Sequence, residues 1–314
     1  VLVNDTRTPC AQELSWRTSF GYNSITRGAC SPPGRPRRNI RLPAKERSEA
    51  NLLSNPAAAV QGLLAAGPSI MALARAIVMQ SRAEVKRLVK TGIDLNSVFV
   101  DDNGPTPLLL AATTGNVAIF KILLDAGANP LVRSAGDCPV HEACRGGHTA
   151  IVKELLKRGL DVESPSSANA RPLFIAAENG FVALVRLLLE AGANMEIRRD
   201  GAYTALYMAC QCGHTDVVEE LLNAGAYIGP QGKHGFTPLI QSSHRGYVKI
   251  VKLLLRQGSP HDTTNDQGFT ALHLAAQANR VEVMELLLRA GADPTAEGPE
   301  GYTPMTFAVE GGHK

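Results

Sequence analysis

Thr270–Ala276 has the sequence T-A-L-H-L-A-A, and related heptads recur at a spacing of 33 residues along the chain. Thr204 begins T-A-L-Y-M-A-C, Thr237 begins T-P-L-I-Q-S-S and Arg171 begins R-P-L-F-I-A-A. A second series keeps step with these heptads and consists of the glycines Gly127, Gly159, Gly192, Gly225, Gly258 and Gly291. Self-similarity at one fixed period predicts a stack of repeated units and not a single globular core. A stack presents a long surface for recognition and seldom a deep catalytic pocket.

Each unit is predicted to contain a turn and two short helices. A threonine such as Thr237 can accept a hydrogen bond from the first helical turn, and Pro238 after it costs the helix no hydrogen bond. Gly213 is typical of the residues that end the first helix, because glycine adopts the left-handed backbone state easily. The second helix carries a wide apolar stripe, as in Leu184–Leu189. One short helix cannot bury such a stripe alone, so it must pack on its neighbours.

These residues resemble the ankyrin repeat, whose pattern is T-P-L-H-x-A-A, then Gly-His, then V-x-x-L-L-x-x-G-A. The pattern is fullest at Thr270–Ala276, at Gly213-His214 and at Val185–Ala193. The resemblance implies an all-α repeat fold, an ankyrin-type solenoid of helix-turn-helix units with projecting β-hairpin loops. It also implies a protein-binding module that uses its hairpin tips and inner helices. It carries no catalytic residue and no cofactor to this chain.

The chain is expected to have three parts. Residues 1–48 form a basic arm rich in Pro, Gly and Arg, and residues 49–68 form a capping helix. Residues 69–314 form the ankyrin-repeat domain, with seven complete units, of which the first is degenerate, and a truncated eighth. The start at Val1 and the stop within a unit favour a fragment of a longer protein. Met284, Leu287 and Leu288 are therefore expected to be partly bare.

Composition restricts the function further. The net charge is +3, but residues 1–70 hold nine Lys/Arg and four Asp/Glu, which leaves −2 for the rest. Six cysteines without a framework spacing favour a reducing compartment, so an intracellular location is expected. The first residues lack the features of a secretory signal. Neither phosphate-binding glycine loops nor hydrolase motifs occur, so we expect no enzyme activity and no cofactor.

The position before each capping residue holds a series of aromatic side chains. These side chains should form a row along the hairpin tips and anchor a partner. An equally weighted alternative is that each aromatic residue braces its own hairpin. Beside the row, inner-helix side chains are expected to line a concave groove that seats an extended peptide or a helix. The predicted partner-binding residues are Tyr203, Phe236, Phe269, Tyr302, Met208, Gln241 and His244.

Other polar residues carry weaker signals. Asn96 lies in a sequence that resembles the acceptor pattern for asparagine hydroxylation in ankyrin proteins, although a role in shaping the loop is favoured about three to one. His141 and His273 are expected to link neighbouring hairpins. Three residues resemble metal ligands in type, but their spacing is wrong for a zinc site, so no metal is expected: Cys210, Cys212 and His214.

The sequence therefore predicts a protein-interaction module. Two alternatives stay open: a substrate-recruiting part of a larger enzyme or ubiquitin-ligase adaptor, and a nucleic-acid-associated regulator that uses the basic arm. Local departures also predict where the stack is softest. Cys138 and Arg171 replace the capping threonine, and loss of such a cap costs on the order of 1 kcal/mol. Residues 134–200 are accordingly expected to be the least stable part.

Overall fold

The computed structural model describes residues 68–99, 104–134, 136–229 and 232–313. Within these ranges the chain forms fifteen α-helices. The first, or inner, helices of the successive units are α1 (Pro68–Val78), α3 (Pro107–Thr114), α5 (Pro139–Arg145), α7 (Pro172–Glu178), α9 (Ala205–Cys212), α11 (Pro238–Arg245), α13 (Ala271–Gln277) and α15 (Pro304–Glu310). The second, or outer, helices are α2 (Arg82–Val89), α4 (Val117–Asp125), α6 (Thr149–Lys157), α8 (Val182–Glu190), α10 (Thr215–Asn223), α12 (Val248–Arg256) and α14 (Val281–Arg289).

The helices pack as two parallel layers. Each inner helix lies against the inner helices before and after it, and the outer helices do the same in their own layer. Within a unit, the inner helix also packs on its outer partner. This order confirms the predicted all-α solenoid of helix-turn-helix units. The predicted arm and almost all of the predicted capping helix lie outside the described residues.

Threonine caps begin five of the inner helices. In each, the threonine hydroxyl accepts a hydrogen bond from the backbone N–H three residues later, as Thr237 does from Ile240 at 3.1 Å. The other four are Thr106, Thr204, Thr270 and Thr303. Arg171 and Cys138 occupy the same position with the same extended backbone. The Arg171 side chain makes no cap hydrogen bond, as the sequence predicts.

The polar loop Ser164–Ser167 leads from the unit of Cys138 into the next unit and is held by several hydrogen bonds. The Ser166 hydroxyl accepts from the Ala170 N–H at 3.0 Å, and the Asp137 carboxylate accepts from the Ser167 N–H at 2.6 Å. Arg133 donates to the Pro165 carbonyl at 2.7 Å. These contacts stabilise the region in which the missing threonine caps lower stability. The lower stability of residues 134–200 therefore stays a prediction.

The outer helices supply the core between the layers. Leu155, Leu188, Leu221, Leu254 and Leu287 are equivalent residues of successive units, and all five are fully buried. The expectation that Leu287 is partly exposed is therefore wrong, because its side chain is fully buried in the core. Met284 is partly exposed and Leu288 is exposed, as expected.

Among the described residues, the hairpin tips are turns closed by a backbone hydrogen bond, and not by a strand ladder. The Gly232 N–H donates to the Phe236 carbonyl at 2.9 Å. Equivalent bonds join Ser166 to Ala170, Asn265 to Phe269 and Gly298 to Tyr302. Over the described residues, bridges occur only in isolation, as between Arg199 and Tyr203. The tips thus project from the stack as short turns whose last residue leads directly into the next inner helix.

Candidate interaction face

The inner face is the surface formed by the hairpin tips together with the side chains of the inner helices that remain accessible to solvent. Helix periodicity places the fifth and eighth positions of the T-P-L-H-x-A-A-x pattern on this side of the inner helices. The fifth-position side chains are buried or only partly exposed, so the eighth-position side chains supply most of the accessible surface. The eighth-position residues described are Thr113, Arg145, Glu178, Gln211, His244, Gln277 and Glu310. All except Gln211 are at least partly exposed. This row is accordingly accessible over nearly the whole described stack.

The aromatic row predicted along the tips divides into two kinds of position. Phe236 and Phe269 are buried, with 9% and 8% of their surface exposed. Tyr203 and Tyr302 are partly exposed. Phe269 contacts the Phe307 ring edge-on at 5.2 Å between centroids, so its ring fills the space between two units. Burial favours the bracing role for the two phenylalanines, and it leaves the two tyrosines as the accessible members of the row.

The predicted groove residues differ in the same way. Met208 and Gln241 are buried. The Gln241 side-chain oxygen lies 3.3 Å from the Tyr207 hydroxyl, which donates to it. His244, the third residue of this set, is partly exposed. Binding of a partner by these residues stays a prediction, and the structure makes His244 the accessible one of the three.

Basic residues of two hairpin tips lie over aromatic rings of the preceding unit. The Arg199 guanidinium is 5.4 Å from the centre of the Phe174 ring and 4.0 Å from the Glu178 carboxylate. The Lys233 ammonium is 5.6 Å from the centre of the Tyr203 ring. Such contacts are worth about 0.5–1 kcal/mol at exposed sites. Sequence reasoning missed them, because the partners lie on different units and share no local pattern.

A compact ion-pair network occupies the inner face at α5. The Arg145 guanidinium binds the carboxylates of Asp137 and Glu142. Burial raises the pKa of Glu142, although Arg145 acts in the opposite direction. Burial also acts to raise the pKa of Asp137, but hydrogen bonds from Ser167 and Arg145 outweigh it and lower that pKa. The positive charge at this point of the face is thus neutralised within the protein.

Two histidines join neighbouring units below the tips. His273 Nδ1 accepts from the Thr270 N–H at 3.2 Å, and its Nε2–H donates to the Tyr302 carbonyl at 3.1 Å. His141 makes the equivalent pair with Cys138 at 3.0 Å and with Ser164 at 2.9 Å. Burial lowers the pKa of both imidazoles. These rings are neutral links between turns, in agreement with the role expected from the sequence.

His244 lies at the C-terminal end of α11 beside two arginines. Burial lowers its pKa to about 4, and the charges of Arg245 and Arg280 act in the same direction. Arg280 comes from the next unit, and its Nε donates to the His244 carbonyl at 3.2 Å. Two arginines thus lie next to one eighth-position residue.

Asn96 and the cysteines have structural surroundings. The Asn96 side-chain oxygen accepts from the Asn129 N–H of the next unit at 2.8 Å, so this exposed residue links two successive turns. Its hydroxylation stays a prediction. Cys210 is fully buried, which raises its pKa to about 12. His214 Nε2 donates to the Glu178 carbonyl at 3.0 Å. No group of three or more His, Cys, Asp or Glu residues in the described part of the chain is arranged to hold a metal ion.

The helices are short throughout the stack. Among the residues described, none has both the length and the apolar character needed to cross a bilayer.

Comparison with known families identifies the repeated unit. A family model described as ankyrin repeats, in three copies, matches residues 52–134, 70–169, 129–199, 173–265, 206–298 and 257–314. Among solved structures, the chain is similar to the human ASB11 ankyrin repeat domain, with a TM-score of 0.61 and 33% sequence identity. That similarity covers 65% of this chain and 92% of the ASB11 domain.

Similar curated proteins match over shorter segments. The chain is 34% identical over 90 residues to the inactive serine/threonine-protein kinase TEX14 of Bos taurus, which is 28% of this chain and 6% of that protein. It is 37% identical over 107 residues to zygote-specific protein 3 of Chlamydomonas reinhardtii, which is 34% of this chain and 28% of that protein. The chain thus aligns with only a small part of the length of either relative.

Proposed function

The chain belongs to the ankyrin-repeat family, and from that premise we propose that its inner face binds an extended peptide or a helix of a partner protein. Ankyrin repeats are generally protein–protein interaction modules, and their fold is typically non-catalytic. We propose the same non-enzymatic role for this protein. The observation that carries the proposal is the row of accessible eighth-position side chains, which follows the inner helices from α3 to α15.

The chemistry of the face supports a protein partner. Tyr203 and Tyr302 combine an apolar ring with a hydroxyl group at a partly exposed position, which is the character of residues that dominate protein interfaces. Polar side chains that can donate or accept hydrogen bonds, such as Gln277 and Glu178, lie below them. A long face with apolar anchors and polar neighbours suits a polypeptide better than a small molecule.

The test compares two tyrosine variants of the full chain. Tyr203→Ala with Tyr302→Ala removes the accessible aromatic rings of the inner face. Partners captured by the unaltered protein from cell extract are identified, and the affinity of one purified partner is then measured by calorimetry. We expect the double variant to weaken binding at least tenfold, because anchoring tyrosines contribute about 1–2 kcal/mol or more each.

The matched control is Tyr227→Ala. Tyr227 is exposed and lies in the turn that follows the outer helix α10. Its removal should leave the affinity unchanged. An equal loss in the control, or full affinity in the double variant with intact folding, would show that the partner binds elsewhere.

A role within a larger protein is the second candidate. The repeats align with only 6% of the length of TEX14, so in that relative the similar segment is a small part of a long chain. We propose, as the alternative, that this segment recruits partners for other domains of its own protein. Sequencing of the complete transcript tests this directly, and a transcript that encodes only the repeats would reject it.

An intracellular location is proposed on the state of the cysteines. The four cysteines among the described residues are free thiols, and burial raises the pKa of both Cys144 and Cys210. Thiols kept protonated and buried pack as small apolar groups, and they suit a reducing compartment.

A further inference from the structure

Arg245 and Arg280 form a positive cluster beside His244 at the C-terminal end of α11. Arg280 belongs to the turn between α13 and α14, and its side chain packs along Gly246, where an added Cβ would lie 2.7 Å from Arg280 Cδ. Its Nε donates to the His244 carbonyl. The other N–H groups of this guanidinium make no hydrogen bond or ion pair with the described residues. Arg280 is therefore held in place by one bond and retains most of its capacity to donate.

Arg245 has unused hydrogen-bonding capacity as well. It is partly buried, and its Nε is inaccessible to solvent and has no acceptor among the described residues. A buried donor without an acceptor costs about 1–3 kcal/mol, and more when the group is charged. Arg245 directly follows His244, and Arg280 Nε donates to the His244 carbonyl, so the two arginines flank this residue. Their charges add to the effect of burial, which lowers the pKa of His244. No carboxylate of the described chain pairs with either arginine.

Three units earlier, the equivalent position of the inner face holds a cation whose charge is neutralised within the protein. Arg145 is the equivalent of His244, and it binds the carboxylates of Asp137 and Glu142. Three periods later the positions of these two acids hold Phe236 and Gln241, which carry no charge. The unit that contains Arg245 therefore has the positive charge without the internal acids.

We propose that this cluster binds carboxylate side chains of an acidic segment in the partner protein, with Arg245 and Arg280 as the binding residues. The inference rests on the proposed function and names the chemistry of the partner. A guanidinium group matches a carboxylate by two parallel hydrogen bonds, and the pairing is stronger at a partly buried site than in water. A polynucleotide fits less well, since it needs an extended basic track, whereas residues 71–314 carry a net charge of −2.

The experiment uses the full chain and a fluorescein-labelled hexaglutamate peptide at pH 8 and low salt. The test variant is Arg245→Gln with Arg280→His. Histidine at position 280 preserves the fold, because His148, His214 and His313 occupy the equivalent position in other units and reach the same carbonyl of the preceding unit. The control variant, Arg256→Gln with Arg289→Gln, removes the same charge from exposed sites on α12 and α14.

We expect the test variant to bind hexaglutamate at least tenfold more weakly, and the control to change the affinity less than twofold. In the unaltered protein at pH 8, saturating peptide should also shift the NMR resonances of the Arg245 and Arg280 guanidinium groups, because carboxylates then accept hydrogen bonds from them. Equal losses in both variants, or unshifted guanidinium resonances, would overturn the proposal. The proposal would also be overturned if a single-stranded oligothymidylate bound more tightly than the peptide and lost its affinity only in the test variant.

Failure here is distinguishable from failure of the proposed function. One outcome is that partner affinity falls in the Tyr203/Tyr302 variant while hexaglutamate affinity is unchanged in the Arg245/Arg280 variant. In that case the inner face binds protein, but the proposed acidic chemistry of the partner is wrong.

Discussion

Gly180 illustrates how one residue serves two purposes at the end of an inner helix. Its φ is +78°, and an added Cβ would lie 2.6 Å from Nδ1 of His214 in the next unit. We expect Gly180→Ala to lower the free energy of unfolding by about 2–4 kcal/mol, with about 1–2 from the backbone state and the rest from the displaced ring. Urea denaturation measures it.

The control for Gly180 lies one helix later. Gly192 has φ +85° and no atom within 4 Å of an added Cβ. Gly192→Ala should therefore lose only the backbone contribution, about 1–2 kcal/mol. If the two variants lose equal stability, the contact with His214 contributes nothing.

His244 makes stability depend on pH, because its imidazole is largely removed from solvent although the side chain is still partly exposed. The pKa of His244 is lowered to about 4, whereas an unfolded histidine titrates near about 6.5. Below about pH 6.5 His244 binds a proton in the unfolded chain but not in the native protein. The free energy of unfolding therefore falls as the pH falls to about 4. His244→Gln, which copies Gln211 and Gln277, should recover roughly 1–3 kcal/mol at pH 4.5 and nearly nothing at pH 8.

Urea midpoints at the two pH values check this prediction. The remaining loss in the variant belongs to groups such as His141 and His273, whose pKa values burial also lowers. A variant with the same pH profile as the unaltered protein would mean that His244 is protonated equally in both states.

At the level of the helix pair, the sequence predicts what depends on local chemistry. Three predicted features depend only on residues close in sequence: the threonine caps, the prolines after them, and the left-handed residues that end the inner helices. All three are observed. Asn279, with φ +54°, takes the place of glycine as predicted. These features follow from backbone hydrogen bonding within one unit, which residues close in sequence determine.

Features that depend on two units were predicted less well. The burial of Phe236 and Phe269 is set by how closely the next tip approaches, and the heptad pattern contains no information on that distance. The Arg199–Phe174 and Arg280–His244 contacts also join different units. The two pairs are separated by 25 and 36 residues, so no common spacing in the sequence signals them. The candidate site therefore needed the structure, whereas the repeat did not.

For the whole molecule, stability is approximately a sum of units and of the interfaces between neighbours. A polar substitution at a given motif position should then lower the free energy of unfolding little where no neighbouring unit covers the side chain. It should lower it strongly where a neighbouring unit does cover it. Met305 and Leu272 are such a pair, one period apart, with 69% and 2% of their surfaces exposed. Val309 of the same helix is also exposed, at 66%.

We expect Met305→Gln to change the free energy of unfolding by less than about 0.5 kcal/mol, and Leu272→Gln to lower it by about 3–5 kcal/mol, because it buries an amide where an apolar contact stood. Thermal denaturation, with hydrogen exchange to locate the loss, measures both changes. The exchange of Leu272→Gln should rise most in α11, α13 and α15, the inner helices in contact at that point. A loss spread evenly over α3 to α15 would mean that the stack unfolds as a single cooperative body and that coupling between units exceeds the stability of any one of them.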